Sequence, residues 1–103
     1  MQYSIHPGSD ERLQVDLSGR FDYTDSLAYR VIVKTLMANK DCDRVQMNLQ
    51  NLESIDCTAG QLLMMMHDVA KKSHCSLVFV GAQGQVLDKL KDYARHNALR
   101  IAA

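Results

Sequence analysis

Alternating apolar and polar residues predict two strands near the start of the chain. Residues 12–17 alternate as a half-buried strand does, and the Ser-Gly pair at 18–19 is expected to end that strand. Residues 3–5 alternate in the same way ahead of the Pro-Gly pair at 7–8. Because Pro-Gly favours a turn, we expect these two segments to form an antiparallel pair.

Three segments have apolar residues at helical spacing. The first, residues 27–38, follows the N-cap candidates at 24–26 and is expected to end at 39–41. The second begins after Asp56 and runs to about residue 73, and the third follows a loop at 81–84. The positions expected to face the core are Ala28, Ile32 and Leu36, with Val31, Val33 and Met37 widening that stripe, then Leu62, Leu63, Met66 and Ala70, then Val86, Leu87, Leu90, Tyr93 and Ala94.

Three further strands complete the prediction. Residues 44–49 alternate, and a connection at 50–55 is expected to lead to the second helix. Residues 76–80 are almost continuously apolar, as in a central strand covered on both faces, and residues 99–101 predict a short last strand. The order β-β-α-β-α-β-α-β predicts an α/β fold with a mixed, mostly parallel sheet of about five strands, three or more helices and right-handed connections.

Length and charge narrow the class of protein. The 103 residues suit a single domain spanning 1–103, and 12 basic residues balance 12 acidic ones, which does not favour a nucleic-acid partner. The chain has no apolar run near the ~18 residues of a membrane span and no signal-peptide pattern at its start, so a cytoplasmic location without membrane insertion is expected. The unpaired spacing of Cys42, Cys57 and Cys75 favours reduced thiols over a disulfide or zinc framework.

No enzyme signature is present in the sequence. The Gly81 and Gly84 pair lacks the lysine and hydroxyl of a phosphate-binding loop, so an ordinary turn is favoured. The four histidines lack metal-ligand spacing, and no nucleophile stands with a recognisable base. We therefore expect no catalytic residues, no metal and no cofactor.

The most informative segment is Asp56-Cys57-Thr58-Ala59-Gly60 at the start of the second helix. Asp56 can cap the helix, whose N-terminus stabilises negative charge by ~0.3–2 kcal/mol. Cys57 is favoured as a small helix-start residue over a reactive thiol, because the Asp56 carboxylate disfavours a thiolate. Thr58 is a candidate phosphoacceptor.

The methionines of the second helix suggest an exposed patch for contact with a protein partner. Met64 and Met65 fall among polar or small residues and are expected to reach solvent. An exposed patch of Gly60, Met64 and His67, with His67 at the surface or its boundary, would suit a protein partner. Scattered exposed apolar residues explain the pattern equally well.

Several blocks in order resemble a STAS domain, the fold of bacterial anti-sigma-factor antagonists. They are residues 15–22, 45–49, 55–63, 77–81 and 86–90, so the likeness covers nearly the whole chain. The resemblance implies a STAS-like single domain that is not an enzyme. Such antagonists bind an anti-sigma factor, often a serine kinase, and thereby regulate transcription; phosphorylation of a serine after the aspartate ends binding, and a phosphatase is a further partner.

Two points of the resemblance remain open. Cys57 occupies the usual serine position while Thr58 matches the hydroxyl residue that follows, so either Thr58 has taken over or phosphorylation is not the switch. STAS subunits also occur in phospholipid-trafficking ABC transporters, where a threonine in a similar segment contacts the ATPase. Residues 62–72 are similar to that subgroup, but residues 16–23 are closer to sigma-regulatory members, which favours the antagonist. The predicted partner-binding residues are Asp22, Tyr23, Thr24, Asp56, Cys57, Thr58, Gln61 and Met64.

Overall fold

A mixed sheet organises the chain. The computed structural model describes residues 1–7, 12–38, 43–96 and 101–102, and in these residues five strands lie in the order β1-β2-β3-β4-β5. β1 pairs antiparallel with β2, and the later neighbours pair in parallel, which confirms the predicted first pair and the mixed sheet. The strands are β1 Gln2–Pro7, β2 Arg12–Phe21, β3 Arg44–Ile55, β4 Ser76–Val80 and the two-residue β5 Ile101–Ala102.

Within the described residues, three α-helices connect the parallel strands and cover one face of the sheet. They are α1 Ser26–Ala38, α2 Cys57–Lys72 and α3 Gly84–His96. Each connects a strand to the next one along the sheet, and right-handed connections that always advance in one direction place their helices on one face. The register agrees, because the buried Val15, Met47 and Phe79 stand side by side on β2, β3 and β4. The predicted order of elements is confirmed.

β3 is longer than predicted. The prediction ended it too early because the buried positions in its second half do not alternate. The segment 50–55, expected to be a connection, continues the strand, with Leu49, Leu52 and Ile55 buried at intervals of three residues. The register against β2 shifts twice, and each shift places one extra residue in β3. An extra residue at a bulge turns the following side chain back to the core face, which hides the period of two in the sequence.

β2 also extends beyond its predicted end. It runs through Ser18 and Gly19 to Phe21, which is buried. Gly19 lies at φ 84°, in the left-handed region that a residue without a Cβ enters at little cost, and it sits between the two register shifts. The expected strand break is therefore a local distortion within a continuous strand.

β4 has the predicted bounds but not the predicted place. β3 holds the centre of the sheet, and β4 lies between it and β5. Only Leu77 and Phe79 of β4 are buried, whereas the alternate residues, including Val78, are half-buried. The predicted central placement was wrong because β3 holds the centre. The predicted coverage on both faces was wrong because the helices lie on one face of the sheet and Val78 lies on the other.

α1 buries a narrower stripe than expected. Ile32 is buried, but Val31 is 46% exposed and Met37 is 47% exposed. α1 packs beside α2 at the outer end of the helical layer, so part of its apolar surface meets solvent. The predicted N-caps at 24–26 were also wrong, since a 3₁₀ turn at Tyr23–Asp25, capped by Asp22, leads directly into the helix.

The other helix predictions agree with the structure where it describes them. α2 begins directly after Asp56 and ends one residue before the expected position. α3 buries Val86 and Leu90 and half-buries Leu87, Tyr93 and Ala94 as predicted. The expected end of the first helix at 39–41, together with Cys42, Leu99 and Arg100, lies outside the described residues.

Candidate functional site

The carboxylate of Asp56 joins the segment after β2 to the segment after β3. One oxygen, Oδ1, accepts a hydrogen bond from the Ala59 N–H at 2.7 Å and so caps α2. The other, Oδ2, accepts from the Tyr23 N–H at 3.0 Å. The Asp56 N–H in turn donates to the Phe21 carbonyl at 3.3 Å. The carboxyl ends of the two parallel strands are therefore joined by the side chain of Asp56 as well as by its backbone N–H.

A capping box orders the turn that carries Tyr23. The Asp22 side chain accepts hydrogen bonds from the Thr24 N–H at 2.9 Å and the Thr24 hydroxyl at 2.5 Å. The Asp25 side chain accepts from the Asp22 N–H at 3.0 Å. The hydroxyl and N–H of Thr24 both favour the charged carboxylate and hold the pKa of Asp22 below its ordinary value.

The predicted partner-binding residues differ in their exposure. Tyr23 is 69% exposed, Asp22, Asp56 and Met64 are half-buried, and the remaining members, Thr24, Cys57, Thr58 and Gln61, are exposed. The structure brings the Tyr23 backbone against Asp56 and leaves the Thr58 side chain in solvent at the first turn of α2. Met64 is two turns into that helix, about 10 Å along its axis from the start. Whether these residues bind a partner stays a prediction.

The expected exposed patch of Gly60, Met64 and His67 was wrong. Gly60 is buried and His67 is 7% exposed, so only the half-buried Met64 has appreciable access to solvent. The His67 ring stacks on Phe79 of β4 with 6.4 Å between ring centroids and 27° between ring planes. Gly60 and His67 lie on the core stripe of α2 with Leu63 and Ala70, and helical spacing alone did not separate that stripe from its polar neighbours.

α3 supplies three contacts to the site that the sequence prediction missed. Gln85 bonds both backbone groups of Ile55, the Lys89 amine lies 3.8 Å from the Cys57 sulfur, and the Tyr93 ring lies over Gly60. A Cβ on Gly60 would come within 2.4 Å of that ring, so glycine permits the close approach of α3. Gln85, Lys89 and Tyr93 follow one another at intervals of four residues and therefore lie on one face of α3. This spacing is the one signal of their shared role that the sequence contains.

The chemical groups at the site suit recognition through the surface. An exposed hydroxyl and an exposed thiol lie at the N-terminus of α2, where the helix favours added negative charge. Among the described residues, no group of three or more His, Cys, Asp or Glu side chains is arranged to hold a metal ion. None of the helices in the described ranges has the length and apolar character needed to cross a membrane.

Residues 6–99 match the model of a protein family described as Mlab, STAS domain. This match spans almost the whole chain. No curated protein matches the sequence.

Several solved structures share the fold. An anti-sigma factor antagonist from Mycobacterium paratuberculosis has a TM-score of 0.79 at 12% identity, over 97% of this chain and 85% of that one. The Bacillus cell fate determinant SpoIIAA in its phosphorylated form has a TM-score of 0.75 at 11% identity, over 99% and 92% of the two chains. SLC26A9 has a TM-score of 0.70 at 7% identity, with 87% of this chain matching 17% of that one. At these identities the likeness shows the fold alone.

Proposed function

The chain belongs to the STAS domain family, and we propose that it is a bacterial anti-sigma-factor antagonist, a cytoplasmic protein without catalytic activity. Its partner in this proposal is an anti-sigma factor or switch kinase, and binding releases a sigma factor for transcription. The partner surface consists of Asp22, Tyr23, Thr24, Asp56, Cys57, Thr58, Gln61 and Met64, defined here as the docking surface. Structural likeness to antagonists supports the proposal at the level of fold.

The Asp56 carboxylate is the observation that carries the proposal. It holds the exposed Tyr23 turn beside the exposed first turn of α2, so residues from two distant parts of the chain form one ordered surface. A preordered surface loses less conformational entropy on binding than two independent loops would. Tyrosine is also among the residues that most often dominate binding energy.

Phosphorylation is the proposed control of this surface, and Thr58 is the proposed acceptor. Cys57 has no hydroxyl, so it cannot form a phosphoserine at the usual position, whereas the Thr58 side chain is exposed to a kinase. A phosphate adds about two negative charges beside the Asp56 carboxylate. A partner would have to desolvate that charge on binding, which opposes association.

A second candidate is a STAS subunit of a phospholipid-trafficking ABC transporter that binds its ATPase. The observation that favours it is the pairing of Cys57 with an exposed Thr58 after the capping aspartate. In the transporter subgroup a threonine at such a helix start contacts the ATPase directly, so this role does not require a phosphorylated residue. The same docking surface would then face an ATPase.

The proposals are tested by purifying the tagged protein with its partners from its native cells and identifying them by mass spectrometry. An ATPase of the histidine-kinase type supports the antagonist, whose binding has released the sigma factor, and transporter subunits support the second candidate. Recovery of neither partner by the wild-type protein contradicts both proposals.

Variants then test the charge switch on the purified complex. Thr58→Glu places negative charge in the docking surface and is expected to weaken binding about 30-fold or more, since an unpaired charge that is desolvated at an interface costs several kcal/mol. Thr58→Val removes the hydroxyl at similar size and is expected to retain binding. Gln46→Glu adds the same charge at an exposed residue of β3, away from α2, and serves as the control. Wild-type affinity of Thr58→Glu would refute the switch.

A further inference from the structure

The last part of β3 has a strand on only one side. β4 pairs with β3 from Arg44 to Asn48, and the following residues of β3 continue to Ile55 beside β2 alone among the described strands. Backbone groups on the other edge need partners, because an unpaired buried N–H or C=O is costly. Two glutamine side chains from the start of α3 and the loop before it supply them.

Gln85 replaces a strand partner at Ile55. Its side-chain oxygen accepts from the Ile55 N–H at 3.0 Å, and its side-chain nitrogen donates to the Ile55 carbonyl at 2.8 Å. A carboxamide has the donor and acceptor of a peptide unit, so it can bond both groups of one residue. Gln83 bonds the same edge five residues earlier with one contact, from its side-chain nitrogen to the Gln50 carbonyl at 3.0 Å.

We propose that Gln85 is a positioning residue for the docking surface. It fixes both backbone groups of Ile55, the residue before Asp56, and therefore the direction in which the chain leaves β3. That direction determines whether the Asp56 carboxylate reaches Ala59 and Tyr23 together. The effect on partner binding rests on the proposed function, whereas the effect on Asp56 does not.

Lys89 and Tyr93 extend the same support along α3. They lie one and two turns after Gln85 and contact Cys57 and Gly60 in the first turn of α2. The segment from Ile55 to Gly60 is thus backed along its length by one face of α3. Gln85 is its first and best-bonded contact.

Amide hydrogen exchange measured by NMR tests the proposal on the full chain. In Gln85→Leu, the amides of Tyr23 and Ala59 are expected to exchange about tenfold faster, since two hydrogen bonds that hold Asp56 in place are lost. Both amides bond Asp56 and not Gln85, so a change there reports the carboxylate's position. Gln83→Leu is the matched control and should leave both rates unchanged. Rates are compared with those of Val15 and Phe79, which report global opening.

A second variant keeps the test decisive if Gln85→Leu does not fold. In Gln85→Glu the ionised carboxylate accepts from Ile55 but cannot donate, whereas the neutral acid can do both. The protection of Tyr23 and Ala59 relative to wild type is therefore expected to fall at neutral pH and to recover below about pH 4, where glutamate is protonated. Wild-type protection of these two amides at neutral pH in either variant would overturn the inference.

Partner binding separates this inference from the proposed function. Gln85→Leu is expected to bind the recovered partner with about tenfold lower affinity, while Gln83→Leu is expected to bind it with wild-type affinity. Unchanged affinity of Gln85→Leu overturns the positioning role, even if the partner is the proposed one. If wild-type protein recovers no partner, the proposed function fails, and the exchange rates still decide the effect of Gln85 on Asp56.

Discussion

Replacing Asp56 by alanine removes the hydrogen bond that caps α2 and the hydrogen bond that ties its start to the turn after β2. The Ala59 N–H loses its acceptor at 2.7 Å, and the Tyr23 N–H loses its acceptor at 3.0 Å. The substitution leaves the hydrophobic core intact, because Asp56 is half-buried and makes no part of the core cluster. The change therefore isolates the polar contribution of this side chain.

The expected loss of stability follows from the two contacts. Removing an N-cap aspartate costs about 0.5–2 kcal/mol. The bond to Tyr23 lies in an exposed setting, where water replaces the lost acceptor, so about 0.5–1 kcal/mol is expected for it. The sum is about 1–3 kcal/mol, which lowers the melting temperature of a domain of this size by roughly 5–20 °C.

Asp56→Asn separates the two bonds. An asparagine can keep one oxygen on the Ala59 N–H, but its NH₂ group cannot accept from Tyr23. We therefore expect this variant to lose about 0.5–1 kcal/mol, the smaller part of the alanine effect. Urea unfolding followed by circular dichroism measures all three proteins. The explanation of the site would be wrong if the alanine variant were no less stable than the asparagine variant, or if neither differed from wild type.

Two further predictions concern the core and the pH dependence of stability. Leu63→Ala is expected to cost about 2–5 kcal/mol in urea unfolding because Leu63 is fully buried. Met65→Ala on the same helix, where the side chain is 54% exposed, should change stability by less than about 0.5 kcal/mol. Equal effects would contradict the assigned face of α2. The lowered pKa of Asp22 contributes stability that is present above the unfolded value of about 3.9 and is lost as pH falls through the lower folded pKa. Asp22→Asn should therefore lose less stability than wild type between about pH 5 and 2. Asp68→Asn, at an exposed α2 position, is the control, and an acid profile of Asp22→Asn that matches wild type would refute the assignment.

Local signals predicted α2 and its cap well. Asp56 followed by an apolar helical stripe marks a helix start from neighbouring residues alone, and the helix begins at Cys57 as expected. The bounds of β4 were predicted for the same reason. Its place beside the centre was not, because pairing order depends on connections that the apolar run of a single strand does not contain.

Other features depend on contacts between distant parts of the chain. The bulges of β3 arise from its pairing with β2, so alternation could not show that the strand continues to Ile55. The burial of His67 and Gly60 depends on where Phe79 and α3 come to lie. Gln85 sits in an ordinary amphipathic helix pattern, and its two bonds to Ile55 become visible only when α3 is placed against the end of β3.

The hydrogen bonds that Asp56 and Gln85 make in the frame of the docking surface do not use the side chain at position 57. Parallel pairing brings the carboxyl ends of β2 and β3 together, and Asp56 and Gln85 hold them through backbone groups. The Cys57 side chain is exposed and contributes no cap to α2. In the proposed function, cysteine in place of the family's usual serine therefore removes a phosphoacceptor, while the hydrogen bonds of Asp56 and Gln85 that order the backbone are kept. Under this proposal, control passes to Thr58 or is lost, while the backbone frame held by Asp56 and Gln85 is retained.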